Sequence, residues 1–299
     1  MNRLYLIITF CLFIFTQGCT QQENPTALYT PKTTAIEADE LIVGIHPYLN
    51  TQKTFNAYEP LLRYLETQLP DVHFRLETSL DYPDYERKLY AGHFDLSVPN
   101  PYQTLESIKH GYRIIAKVKP DTTFCGVIVA RKDRHIRSVD QLRGEKISFP
   151  APTALAATMM PKLFLFERGL NVDTQAHPRY VGSQYSSIMN AYRGDTTVAA
   201  TWPTPWRTWR SENPQKAKEM ELLWQTPPLV NIGVVVRRDF NPLLAHRITT
   251  VLSQLDHTSV GKNLIAPTGF EGFEPATLKT YRPVEAFIVR YERALGVPQ

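Results

Sequence analysis

Cysteine is scarce in this chain: three residues in 299, at positions 11, 19 and 125. The first two fall in the N-terminal segment, so the remainder holds one thiol and cannot close an internal disulfide. Cys125 lies in Phe124-Cys125-Gly126-Val127-Ile128-Val129, a strand-like run in which it reads as a small buried hydrophobe. Charge of one sign is also lacking. The net charge is +4, spread without a basic run, which leaves nucleic-acid binding without support. No apolar run beyond the first fifteen residues is long enough to cross a membrane. The eight histidines are scattered without HxH or HExxH spacing, so no metal or other cofactor is expected. A G-x-S-x-G elbow and a phosphate-loop glycine pattern are missing too, and the chain is not expected to be an enzyme. The acidic group Asp81, Asp84 and Glu86 reads as a solvated face.

What is present begins at the N-terminus. Met1–Arg3 is short and positive, and Leu4 to Phe15 is almost unbroken apolar sequence. That run is shorter than the roughly twenty residues a spanning helix needs, and has the size of a secretory h-region. Thr16-Gln17-Gly18-Cys19 follows and resembles a bacterial lipobox, in which the cysteine is lipidated and becomes the first mature residue. Thr16 stands where a lipobox usually carries leucine, so ordinary cleavage near Gly18 is the alternative. Residues 1–18 are thus expected to be a signal peptide, and 19–39 a lipid-bearing Cys19 followed by a polar tether with Pro25 and Pro31. The expected location is the periplasm or cell envelope, with an N-terminal lipid anchor in the membrane.

From Glu40 onward, short β-branched runs alternate with helical patterns. Leu41–Ile45, Val72–Leu76 and Asp95–Val98 read as strands, and the stretches from Tyr58 to Leu69, Tyr85 to Ala91 and Pro101 to His110 as helices. A second block repeats this. Strands are expected at Lys146–Phe149, Arg179–Val181 and Thr197–Thr201, with helices from about Ala154 and from Ser183. Such alternation argues for parallel strands with helices on both faces, and ligands at the carboxyl ends of the strands. Those ends carry His46-Pro47-Tyr48 and Pro99-Asn100-Pro101-Tyr102, two proline-stiffened turns expected to share one mouth.

The ordered set Val43–Asn50, Phe94-Asp95-Leu96 through Tyr102, Val129–Asp133, Leu142-Arg143-Gly144, Val181–Gln184 and Val235–Asp239 resembles the phosphate/phosphite/phosphonate-binding proteins of ABC transporters. The likeness runs from Glu40 nearly to the C-terminus. It implies an α/β, two-lobed type II periplasmic-binding-protein fold, each lobe a mixed, mostly parallel sheet flanked by helices. Lobe one would be 40–125 plus 235–299 and lobe two 130–230, with hinge strands near Phe124–Val129 and Asn231–Val236. The implied function is an extracytoplasmic solute-binding lipoprotein, monomeric, which hands a small molecule to an ABC permease. A ligand-sensing input to a membrane sensor kinase or cyclase needs the same clamp and is the alternative. An exported enzyme on this fold is a remoter one.

The resemblance also shows where the pocket departs from the family. A Ser-Thr-Ser cluster that wraps phosphonate oxygens aligns with Ala154, Leu155 and Ala156, and an amine-holding carboxylate aligns with Ile232. Aminoalkylphosphonate is therefore a poor candidate, and the ligand is an oxyanion or small organic solute. Helix starts after Thr153 and Ser183 offer backbone N–H groups to an anion, although both residues read equally as ordinary N-caps. Tyr48, Tyr102, Trp202 and Trp206 are expected on cleft loops as an aromatic box, with Pro203 and Pro205 stiffening the loop that carries the tryptophans. Gln184 and Asn231 complete the expected ligand-binding set.

Overall fold

The computed structural model describes residues 40–298. The N-terminal expectations, Cys19 among them, lie outside the described residues. The first sheet is built from β1 (Glu40–Ile45), β2 (His73–Glu77), β3 (Leu96–Val98) and β4 (Tyr112–Lys119). The second takes β5 (Val127–Arg131), β6 (Lys146–Phe149), β7 (His177–Tyr180), β8 (Val198–Thr201) and β9 (Met220–Gln225). The chain then returns to the first sheet with β10 (Gly233–Arg237) and β11 (Gly272–Pro275).

The first sheet runs β11-β4-β10-β3-β1-β2 and the second β7-β6-β8-β5-β9. β1 is parallel to β2 and β3, and β6 to β7 and β8. β10 pairs antiparallel with both β3 and β4, and β5 with both β8 and β9. The strands by which the chain enters the second sheet and re-enters the first, β5 and β10, thus pair antiparallel, and β11 adds a further antiparallel pair with β4. Passage falls on residues 124–126 and 226–232, which hydrogen-bond to each other. Thr226 N donates to Gly126 O and Leu229 N to Phe124 O, each at 2.9 Å.

Helices begin where side chains satisfy their free N–H groups. Asn50 caps α1 (Thr51–Gln68), whose Leu61, Leu62 and Leu65 form the buried stripe. Asp81 caps α2 (Tyr82–Tyr90), and Asn100 opens α3 (Pro101–Lys109) with a capping box completed by Gln103. Between β6 and β7 a π-helical turn, Leu155–Met159, runs directly into α4 (Met160–Phe166). Ser183 caps α5 (Gln184–Arg193). The tryptophan segment is not the stiffened loop expected: Trp202 is the N-cap of α6 (Pro203–Glu212), and both prolines fall in its first turn, where a missing N–H costs nothing. The last helix, α7 (Arg282–Leu295), packs on α3 and on α4, and so touches both halves.

Three apolar clusters result. Two line opposite faces of the second sheet. The largest covers the first sheet, yet also takes in Phe124, Ala151, Ala154 to Ala157, Met159, Met160, Leu163 and Trp202 from the other half. The halves are thus closed on one another, with the start of the π-turn helix set into the first half's core.

Candidate functional site

Closure leaves a cavity of about 10 Å³ between the halves, room for about one water molecule. One wall is the start of the π-turn helix, Ala154 to Ala157. Ala154 is extended and caps nothing with its methyl side chain. The N–H groups of Leu155, Ala156 and Ala157 consequently find no acceptor among the described residues, while Ala154 O takes Thr158 N at 2.7 Å and Met159 N at 3.4 Å. Free N–H groups at a helix start, reinforced by the helix dipole, favour an anion.

Trp202 faces this wall. Its ring is 3% exposed and lies 5.7 Å from both Tyr48 and Phe124. The indole N–H makes no hydrogen bond with any described residue and is a further donor available to the cavity. Gln184 is held on both sides: its carbonyl accepts from Thr201 Oγ1 at 2.9 Å, and its amide donates to Tyr82 Oη at 3.3 Å. The Tyr82 oxygen already accepts a bond, so its own proton is free to donate. Burial pushes that phenol well above its usual range.

His46, at the end of β1, closes the other wall. Its Nδ1 lies 2.8 Å from Val98 O, and its ring stacks on Tyr48 at 5.0 Å with Tyr82 edge-on at 6.4 Å. Burial lowers its pKa to about 4, against the opposing pull of the Val98 carbonyl. The imidazole is neutral at physiological pH. Asn100 Oδ1 accepts from Tyr102 N and Gln103 N, and one N–H of Nδ2 donates to Thr153 O at 3.1 Å across the cleft.

Beside the cavity, Thr153 and Glu86 form a second tie between the halves. Thr153 Oγ1 donates to the Glu86 carboxylate, which also accepts from Gln103 Nε2 at 2.8 Å. Burial raises the Glu86 pKa, with the two hydrogen bonds pulling it back. The acidic group on α2 is therefore not a uniform solvated face. Asp81 caps the helix, Asp84 pairs with Arg87 and Lys88, and Glu86 turns inward.

Of the residues singled out from the sequence, Ala154, Leu155, Gln184 and Trp202 line this cavity. Tyr48 lies against it, its hydroxyl donating to Thr268 O and sharing a bond with Tyr58; with Ser183 it lines a neighbouring cavity of about 50 Å³. Thr153 bridges the halves rather than facing the cavity. Tyr102 lies apart from the cavity near Glu106, Tyr291 and Glu292, pushed up to about 12 by burial, so the two turns meet at the cavity through His46 and Asn100 and not through both tyrosines. Trp206 stacks on Trp209 at 5.4 Å in the second half's core, one helical turn beyond Trp202. Asn231 staples the passage between halves, its amide donating to Pro120 O and Thr123 Oγ1. His46, Tyr82, Asn100, Phe124 and Ala157 line the cavity without having been singled out. Asn100 was findable from its Asn-x-x-Gln capping box, and His46 as the residue directly after a parallel strand.

Two mixed α/β halves, joined by paired passages and closed over a cavity, have the type II periplasmic-binding-protein fold. The chain belongs to the family described as ABC transporter, phosphonate, periplasmic substrate-binding protein, which it matches over residues 43–281. A probable ABC transporter phosphite binding protein, PhnD1 of Prochlorococcus marinus, is 23% identical over 185 residues, which is 58% of this chain and 62% of that relative. The match thus spans less than two thirds of the curated relative's length. The structure of PhnD1 from the same organism with methylphosphonate superposes with a TM-score of 0.78 at 20% identity, covering 86% of this chain and 99% of that one. A binding protein component of an ABC phosphonate transporter from Pseudomonas aeruginosa gives 0.77 at 14% identity, covering 85% and 87%. The alkanesulfonate-binding protein SsuA from Xanthomonas axonopodis, bound to MOPS, gives 0.63 at 15% identity, covering 88% and 96%.

Proposed function

We propose that this chain is the solute-binding component of an ABC transporter and captures a small phosphorus oxyanion of the phosphonate or phosphite class. The observation that carries this reading is the uncapped start of the π-turn helix, whose three free N–H groups line a cavity between the halves. Backbone donors there take the part of the hydroxyl cluster that Ala154, Leu155 and Ala156 lack. Trp202 and Phe124 supply an apolar wall for a small substituent, and among the described residues no carboxylate lines the cavity to hold an amine. A cavity of one-water size requires the halves to part for the ligand and close again. The parts that move are 40–125 with 235–299 and 130–230, and the passages at 124–126 and 226–232 act as the hinge. Cys19 carries the lipid that keeps the clamp at the membrane, and a permease reads its closed shape.

Isothermal titration and thermal shift with phosphate, phosphite, methylphosphonate and aminoethylphosphonate test the reading. A ligand at a hundred times its Kd adds about 2.7 kcal/mol of stability. Methylphosphonate or phosphite is expected to raise Tm and aminoethylphosphonate to do so least; no shift with any phosphorus oxyanion rejects it. Cys19→Ser is expected to move the protein from the membrane fraction to the soluble envelope fraction, and an unchanged distribution rejects the anchor.

A further inference from the structure

The cavity supplies donors almost everywhere: helix N–H groups, the Trp202 indole and the Tyr82 hydroxyl. His46 is the exception. A backbone carbonyl can only accept, so the 2.8 Å contact with Val98 O puts the ring's proton on Nδ1. Nε2 is then a bare lone pair. It makes no hydrogen bond with any described residue, and the ring lines the cavity with 2% of its surface exposed.

Resting on the phosphorus-oxyanion reading above, we infer that His46 Nε2 accepts a hydrogen bond from the ligand, so that the clamp takes an oxyanion bearing a proton and refuses one that bears none. A phosphonate or phosphite monoanion has an O–H to offer. A sulfonate of the same shape has none at neutral pH, and its oxygen would meet the imidazole lone pair with no hydrogen between them. Leaving a buried acceptor unpaired is what makes a site reject the analogue that lacks the donor.

A second proton on His46 would abolish the effect, and the ring's burial opposes it, its pKa lying at about 4. The titratable groups around the ring are Tyr48, Tyr82 and Tyr85, with Glu86 next along α2. Burial raises all three phenols, which stay neutral. Across neutral pH the ligand's own last ionisation therefore sets the binding.

The test is titration calorimetry of the full chain with methylphosphonate and methanesulfonate, which differ in that proton. Methylphosphonate is expected to bind at least about tenfold more tightly, the worth of one hydrogen bond to a charged group. Its affinity is expected to fall about tenfold per pH unit above the ligand's last ionisation. His46→Phe, which keeps the ring against Tyr48, is expected to erase most of the preference. Comparable affinity for the two anions, or methylphosphonate affinity that holds or rises with pH, overturns the inference and leaves the clamp an oxyanion binder. Binding of neither overturns the inference, and the oxyanion reading falls with it only if phosphite and phosphate also fail to bind. Should the variant fail to fold, the wild-type pH series decides alone.

Discussion

At the scale of single residues, His46 and Glu86 are buried on opposite terms. His46 loses a proton by folding, its pKa falling from 6.5 to about 4. The unfolded chain then binds the extra proton, so the contribution is complete above pH 6.5 and is lost as pH falls toward 4. The difference is worth about 3 kcal/mol. Glu86 has the reverse sign: burial raises its pKa, so it favours the folded chain less as pH rises through its folded value. Urea denaturation from pH 7 to 4 separates the two. Wild type is expected to lose stability more steeply than His46→Phe, and parallel curves would remove His46 as the cause. Glu86→Gln is expected to leave the steep limb in place.

At the scale of elements, the start of the π-turn helix approaches the backbone of residues 124–126 because position 126 is glycine. A Cβ there would lie 2.6 Å from Ala156 O and 2.7 Å from Pro161 Cδ. Neither neighbour is the free end of a flexible chain, so Gly126→Ala must push the helix start away. An expected cost of about 1–3 kcal/mol is read from chemical denaturation, and ligand affinity should fall with it because the anion donors move. Unchanged affinity at reduced stability would show that the donors at 155–157 are not the binding wall. Gly233 has a related place at the return to the first sheet, where a Cβ would meet Thr104 Oγ1 at 2.5 Å.

At the scale of the molecule, the closed form is held by few polar ties. Asn100 reaches Thr153 O, Thr153 reaches Glu86, Gln184 reaches Tyr82, Thr204 and Arg207 reach Gly269 O, and Lys53 pairs with Glu212 at 2.6 Å and Arg290 with Glu167 at 3.6 Å. The exposed Lys53–Glu212 pair contributes little. Thr153 holds both the donor to a buried carboxylate and an accepting carbonyl, so it is the tie whose loss matters most. Thr153→Val leaves Glu86 short of a donor only when the halves are closed, which shifts the ligand-free chain toward the open form. Small-angle scattering is expected to show a larger radius of gyration for the variant, recovered on adding ligand, with Kd weakened about tenfold. An unaltered radius and Kd would mean that the Thr153–Glu86 bond does not hold the closure.

The sequence by itself determined the alternation of strands and helices and the two-block order, because hydrophobic period and turn chemistry are local properties; the return to the first sheet and the family followed from the resemblance of its ordered motifs. Ala154, Leu155 and Gln184, singled out through the resemblance, and Trp202, through its place after a strand, line the cavity. Only the tertiary structure decided which side of each element faces the cleft. Tyr48 and Tyr102 follow equivalent strands, yet one lies against the cavity and the other lies apart from it beside Tyr291 and Glu292. Trp202 and Trp206 are one helical turn apart, yet one closes the site and the other fills a core. Glu86 sits in an acidic run, yet its neighbours across the cleft bury it. Each of these outcomes depends on what the other half of the molecule brings to the same point, and no local pattern records that.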